Sequence, residues 1–223
     1  MLRDWGMCKG VIFDMDGVLI DSHPLHKKVW AKFLASVNKP VTDEELEFVL
    51  DGRKREEILR HFLGDLPPAQ IREYGKRKNE LFRESFRELR MVAGVVEFLD
   101  TLQTAGIPMA VATSASSTRA YDILKHLGIL ERFKAVVTGN DVEKGKPDPA
   151  IFLRAAEHLR LDPPNALVVE DAVSGVKAAK SAGMKCLGIA SDGRSEKLRE
   201  AGADCVIPDY RNIGLQEVRD LFN

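Results

Sequence analysis

Short apolar runs recur along the chain and alternate with stretches in which apolar residues return every three or four positions. The runs are Val11–Phe13, Ile107–Ala112, Ala135–Thr138, Ala166–Val169, Cys186–Ile189 and Cys205–Ile207. Several are apolar at every position, as strands covered on both faces are. Between them, Val95, Phe98, Leu99 and Leu102 are spaced i, i+3, i+4, i+7. So are Ala120, Ile123, Leu124 and Leu127, and again Phe152, Ala155, Ala156 and Leu159. Each stripe predicts an amphipathic helix. Gly106, Gly128 and Gly183 stand where helix C-caps belong. Strand and helix in alternation predict an α/β fold built on a parallel, doubly wound sheet.

One region breaks the alternation. From about Ser22 to Arg90 no strand candidate appears. Trp30, Phe33, Leu34 and Val37 form one helical stripe, Leu46, Val49 and Leu50 a second, and Ile58, Leu59 and Phe62 a third. A segment from about Ala69 to Leu89 is rich in Arg, Lys and Glu. A helical insert between the first strand and the rest of the sheet follows. There is no internal repeat and no low-complexity tract.

Composition narrows the picture. A chain of 223 residues suits one large domain, or one domain with a smaller insert. A net charge of −1 gives no global field for nucleic acid or an anionic membrane. No apolar run reaches the roughly 18 residues of a membrane span. The opening MLRDWGMCKG lacks the apolar stretch of a secretory signal. Cys8, Cys186 and Cys205 are odd in number and lack metal-site spacing, as expected of reduced structural thiols in a cytoplasmic protein. A monomer is expected from size and surface.

The candidate chemistry lies where the strands end, since ligands of open α/β sheets gather outside the carboxyl ends of the strands. Asp14 and Asp16 follow the first strand, Thr113 and Ser114 the second, and Glu170 and Asp171 the fourth. Lys146 sits in the loop KGKPDP shortly after the third. Four carboxylates, one or two hydroxyls and an ammonium at one sheet edge form a coherent set for phosphoryl transfer. Mg²⁺ takes carboxylate oxygens, waters and phosphate. Lysine supplies a point charge for a phosphoryl oxygen. One carboxylate can act as nucleophile and another as acid and base. Singly, each residue has a plainer reading. An Asp past a strand can be a turn residue. Asp21 or Ser22 fits the N-cap of the first insert helix. Thr113, Ser114, Glu170 and Asp171 can be helix caps, and Lys146 a solvated charge. The joint occurrence at successive strand ends carries the argument.

These residues also carry a likeness. DMDGVLIDS resembles the first motif, DxDGxxxDS, of the haloacid dehalogenase-like hydrolases. VATSAS, KGKPDPAIF and VVEDAVSGVKAAKSAGM resemble their second, third and fourth motifs, in order and across nearly the whole chain. Within that superfamily the chain is similar to the β-phosphoglucomutase-like phosphatases, whose α-helical cap follows the first motif. The resemblance implies an α/β core domain at 1–19 and 90–223 and a cap domain at 20–89, with hinges near Val18–Asp21 and Glu88–Val92. It implies Asp14 as the nucleophile that becomes phosphorylated, and Asp16 as general acid and base. Thr113, helped by Ser114, would hold the phosphoryl group, and Lys146 would stabilise its charge. Mg²⁺ would be held by Asp14, the Asp16 carbonyl and Asp171, with Glu170 assisting. A dehalogenase is disfavoured, because those relatives dispense with Mg²⁺ and usually lack the second Asp.

A cap excludes water and selects the leaving group. DGRKREE, Asp51 to Glu57, places Arg53, Lys54 and Arg55 in a loop entering a helix, a reasonable anion site. His26 lies four residues before Trp30. His26, Gly52, Arg55, Lys78 and Asn79 resemble cap positions that sugar-phosphate mutases use on substrate; the plainer alternative is solvated helix charge. One departure stands out. The mutases present a Lys or Arg and an Asn after the second motif to grip a distal phosphate, where this chain has Ser116, Ser117 and Thr118, then Arg119. Hydrolysis of a small phosphorylated metabolite, a sugar phosphate foremost, is therefore favoured over isomerisation. Inorganic pyrophosphate hydrolysis and a non-catalytic binding role are the remaining alternatives.

Overall fold

The computed structural model describes residues 8–191 and 193–223. Residues 1–7, which include most of the opening segment and part of the expected core stretch 1–19, lie outside the described residues, as does Asp192. Six parallel strands form one sheet: β1 (Gly10–Phe13), β2 (Met109–Ala112), β3 (Ala135–Val137), β4 (Ala166–Glu170), β5 (Lys185–Ile189) and β6 (Cys205–Ile207). Their order is β3-β2-β1-β4-β5-β6, the doubly wound arrangement. All six fall on the predicted apolar runs. β2 starts two residues late, because Pro108 has no N–H to give to the ladder.

β1 is central, with Val11 opposite Met109 on one side and Leu167 on the other. Alternate strand residues feed opposite faces. Val11, Phe13, Val111, Val169 and Leu187 pack under α4 (Val95–Thr104) and α5 (Ser117–His126). Ile12, Ala110, Val168 and Cys186 pack under α6 (Ala150–Leu159), α7 (Val173–Ser181) and α8 (Ser195–Glu200). A last helix, α9 (Leu215–Asp220), covers the first face. Both faces are dry, which is why the strands read as unbroken apolar runs.

The segment after β1 is helical throughout. It comprises α1 (His23–Ala35), a 3₁₀ segment (Glu45–Leu50), α2 (Arg55–Leu63), α3 (Pro68–Glu84) and a 3₁₀ turn (Phe86–Glu88). Trp30, Phe33, Leu34, Leu46, Val49, Ile58, Leu59, Phe62 and Ile71 form its own apolar cluster. Leu25, Val29 and Phe82 join the main core instead, at the foot of the segment. The chain enters and leaves side by side: Asp21 N donates to Arg90 O at 2.9 Å, and Val92 N to Leu19 O at 3.1 Å. Ile20 and Met91 form an antiparallel bridge between them. Among the described residues no helix is long and apolar enough to cross a membrane.

Candidate active site

The carboxyl ends of β1, β2 and β4 converge at the point where the strand order reverses. Asp14 continues β1 and is pinned by its N–H to Val169 O at 2.9 Å. Thr113 continues β2, with its N–H on Val137 O at 2.9 Å. Glu170 ends β4 and Asp171 follows it. The KGKPDP loop returns Lys146 to the same point, fully buried. Its Nζ donates to Asp14 Oδ1 at 2.6 Å and to Glu170 Oε1, and lies 4.9 Å from the centre of the Phe152 ring. Asp14, Asp16, Thr113, Lys146 and Asp171, spread over nearly 160 positions of sequence, are thus brought to one place.

Electrostatics follow from burial. Removal from water drives the Asp14 carboxyl well above the ordinary carboxylate range; Lys146 opposes this, while the charges of Glu170, Asp171 and Asp16 add to it. Burial would raise Asp16 too, but Arg119, His26 and the Ser22 hydroxyl outweigh it and hold Asp16 well below its usual value. Burial would strip the Lys146 proton, yet the carboxylates of Asp14 and Glu170 hold it on more firmly than in water. His26 is pushed down to about 3 by burial and by the Lys78 charge, so its ring is neutral at physiological pH.

Asp14 and Asp171 supply carboxylate oxygens of the kind Mg²⁺ prefers, but among the described residues no cluster of three or more acidic, His or Cys side chains stands ready to hold a metal. Asp171 Oδ2 is buried without a well-directed hydrogen bond; His23 Nε2 approaches it at 2.7 Å and Arg194 at 3.5 Å. Gly17, at φ +75°, lets the loop turn here, and a Cβ would fall 2.1 Å from Asp171 Oδ2.

Three expected residues make contacts within the protein. Glu170, expected to assist the metal directly or through water, meets Lys146 with Oε1 and accepts from the amides of Asp171 and Ala172 with Oε2, both at 2.8 Å. It clamps Lys146. The Ser114 hydroxyl, expected on the phosphoryl group, donates to Gly52 O of the helical segment at 2.6 Å. Ser22 does occupy the N-cap position of α1 but makes no capping bond; its hydroxyl donates to Asp16 Oδ1 at 2.7 Å.

The helical segment roofs these residues and encloses a cavity of about 80 Å³, small beside the roughly 300–1,000 Å³ usual for ligand sites. Trp30, Ile58, Arg55, Lys78 and Asn79 face it from above, and Asp14, Asp16 and Thr113 from below. His26 Nε2 lies 3.0 Å from Asp16 Oδ1. Gly52 lies against Ser174 and the stem of Lys146. The Arg55 guanidinium lies against Gly75 of α3 and donates to Glu56 at 3.0 Å. Every cap residue named from the sequence therefore lines this space or borders it.

Sequence reasoning missed three residues that shape the site: Arg119, His23 and Arg194. Arg119 carried a signal. It lies four residues before Ile123, on the edge of the apolar stripe of α5, where a charge is out of place unless it has a buried task. His23 and Arg194 carried none.

Comparison with known proteins places this architecture. The haloacid dehalogenase-like hydrolase family profile matches residues 11–189. A phosphorylated carbohydrates phosphatase of Thermotoga maritima is 36% identical over 205 residues, covering 89% of this chain and 94% of that protein. A β-phosphoglucomutase of Bacillus subtilis is 33% identical over 218 residues, covering 93% of this chain and 92% of that one. The crystal structure of β-phosphoglucomutase from Clostridium difficile superimposes with a TM-score of 0.87 at 25% identity, over 97% of each chain. This chain belongs to the haloacid dehalogenase-like hydrolase family. It is an enzyme of that family's phosphatase type, similar in build to its β-phosphoglucomutase-like members.

Proposed function

We propose that the protein is a Mg²⁺-dependent phosphohydrolase of phosphorylated carbohydrates, working through an aspartyl phosphate on Asp14. One observation carries the reading: Asp14, buried at the end of the central strand, is held 2.6 Å from an ammonium, with Thr113 and Asp171 on the flanking strand ends. The Asp14 carboxylate attacks phosphorus and the sugar oxygen leaves. Asp16 protonates that oxygen, then takes a proton from the water that opens the aspartyl phosphate. Thr113 and Lys146 hold the phosphoryl oxygens, and Glu170 fixes Lys146. Asp14, the Asp16 carbonyl and Asp171 would hold the Mg²⁺. When bound, the ion supplies positive charge against the carboxylate–phosphate repulsion. Residues 20–89 act as the cap domain, closing over the leaving group and excluding water.

Hydrolysis is preferred to isomerisation because the serines at the mutase grip positions are committed elsewhere. Ser116 Oγ accepts from Asn79 at 3.3 Å, and the Ser117 hydroxyl meets Thr138 Oγ1 at 2.9 Å. The test is phosphate release from a panel of phosphorylated sugars with Mg²⁺, then with EDTA, and with Asp14→Asn. Release that needs Mg²⁺ and vanishes in Asp14→Asn is expected. Full activity in Asp14→Asn, or isomerised sugar without free phosphate, would overturn the reading.

A further inference from the structure

Helix α7 starts without a cap of its own. Its N-cap position falls on Ala172, whose backbone, at φ −111° and ψ 143°, has the extended geometry of an N-cap residue. Alanine has no side-chain oxygen to accept from the first N–H groups of a helix, which find no partner within it. An acceptor arrives instead from the helical segment. Asp51 Oδ1 accepts from Ser174 N at 3.3 Å, across 123 positions of sequence. The Ser174 hydroxyl donates in return to the Asp51 carbonyl. Gly52, at φ +65°, brings the two chains so close that a Cβ there would fall 3.2 Å from Ser174 Oγ and 3.3 Å from Ala172 Cβ. Arg53 pairs with the other Asp51 oxygen at 3.0 Å, which leaves Oδ1 to the helix. The first turn of α7 in turn wraps the clamp on Lys146. Glu170 Oε2 accepts from the amides of Asp171 and Ala172 at 2.8 Å, and Oε1 meets Lys146. Gly175 lies in that turn, so near that a Cβ there would fall 1.9 Å from Glu170 Oε1. The turn that Asp51 caps is the turn that seats Glu170.

We propose that Asp51 is a positioning residue: it caps α7 from across the seam, and this cap couples docking of the helical segment to the seating of Glu170, and through it of Lys146 against Asp14. The proposal rests on the phosphohydrolase reading and deepens it. With the segment docked, the first turn of α7 is complete, Glu170 is fixed, and the Lys146 ammonium stays at Asp14. With the segment lifted, Asp51 leaves, the first turn frays and the clamp loosens. Asp51 is not among the residues that line the roofed cavity, so it acts through the helix and not on substrate. The cap needs an oxygen and not a charge: Asn caps a helix as well as Asp does, and Ala does not.

The test is residue-resolved amide hydrogen exchange, read by NMR in wild type, Asp51→Ala and Asp51→Asn. The Ser174 amide reports the cap, and the Asp171 and Ala172 amides, which bond Glu170, report the clamp. Asp51→Ala should speed exchange at all three by roughly twofold to thirtyfold, the worth of an N-cap. Its Tm should fall by only a few degrees in a chain of this size. On the sugar phosphate that wild type hydrolyses fastest, Asp51→Ala should lower kcat by a comparable factor. Asp51→Asn should restore both the slow exchange and kcat. Unchanged exchange at Ser174 in Asp51→Ala would overturn the cap, and faster exchange at Ser174 alone would overturn its coupling to the clamp. A rise in KM with kcat intact would mean that Asp51 only docks the segment, and would equally overturn the proposal. So would Asp51→Asn behaving as Asp51→Ala, which would make the Arg53 pair the part that matters. If no sugar phosphate is hydrolysed, the hydrolase reading fails, and exchange at the three amides still decides whether Asp51 caps α7 and seats Glu170.

Discussion

At the scale of single residues the site is a balance of buried charges, and Lys146 is its pivot. With no exposed surface, its ammonium answers Asp14 and Glu170 together. Removing it leaves two carboxylates buried without a cation, a loss of about 3–5 kcal/mol for a broken buried pair. Lys146→Met should therefore lower the midpoint of urea unfolding as well as abolish turnover. Adding Glu170→Gln should recover part of the stability and none of the activity, because it removes the stranded charge but not the need for a cation at Asp14. Equal stability in Lys146→Met and wild type would show that the Asp14 and Glu170 carboxyls take up protons from solvent once the ammonium is gone. A second residue-scale prediction concerns the thiols. Burial lifts Cys8 to about 11, and it lifts Cys186 further. The folded protein keeps the Cys8 proton that the unfolded chain gives up near pH 9. Its contribution to stability is thus whole below pH 9 and is lost as pH climbs to about 11. At pH 8 a thiol reagent such as Ellman's should titrate Cys205 alone in the native protein, and all three thiols in urea. Fast native labelling of Cys8 would contradict its burial.

At the scale of elements, α3 shows a helix spending its own propensity on the site. Gly75 sits mid-helix, where alanine would be favoured by about 0.8–1.0 kcal/mol. The helix keeps glycine because the Arg55 guanidinium lies against it: a Cβ there would fall 2.5 Å from Arg55 Nε and Cζ. Gly75→Ala should leave Tm within a few degrees, helix gain offsetting the crowding, while raising KM several-fold as Arg55 is pushed aside. A clear loss of Tm with KM unchanged would mean that the close contact serves packing. This element also marks what sequence can carry. The strands were legible because both sheet faces are dry, and the helical insert because Trp30, Phe33 and Leu34 repeat with helical period. Asp14, Thr113 and Lys146 were legible because each follows a strand end, and topology alone gathers strand ends. Ser114 turning to the Gly52 carbonyl, and Arg194 reaching Asp171, were not, since each depends on where a distant loop comes to rest. Glu170 was legible as a site residue but not as a clamp, because its partner is set by the return path of the KGKPDP loop.

At the scale of the whole molecule the helical segment stands closed on the sheet edge, anchored by apolar contacts at its foot and by polar contacts at the rim of the cavity. Lys54 reaches across to donate to the carbonyls of Val142 and Glu143 at 2.5 and 2.9 Å. Its stem lies over Gly145, one residue before Lys146, so the latch touches the loop that carries the Lys146 ammonium. Ser114 holds Gly52, Ser174 holds the Asp51 carbonyl, and Arg83 pairs with Asp122 at the far side. The segment's own apolar cluster faces inward, while Leu25, Val29 and Phe82 pack on the main core at its foot, beside the bonded entry and exit of the chain. The proposed cap is expected to swing as a body about residues 20 and 91, the rim contacts being the hydrogen bonds that break on opening. Each is worth about 0.5–1.5 kcal/mol, and those of a charged donor about 1.5–3. Lys54→Ala should therefore shift the population towards the open form by roughly tenfold or more. In small-angle scattering the radius of gyration should rise, and KM should rise with it. Unfolding stability should hardly change, since the latch joins two bodies that each keep their core. Saturating substrate should restore the closed radius in the variant, because ligand in the cavity bonds cap and core alike. If Lys54→Ala scatters as wild type does and keeps its KM, the closed state is held by the remaining seam, and Ser114→Ala, which frees the Gly52 carbonyl, becomes the substitution that opens it.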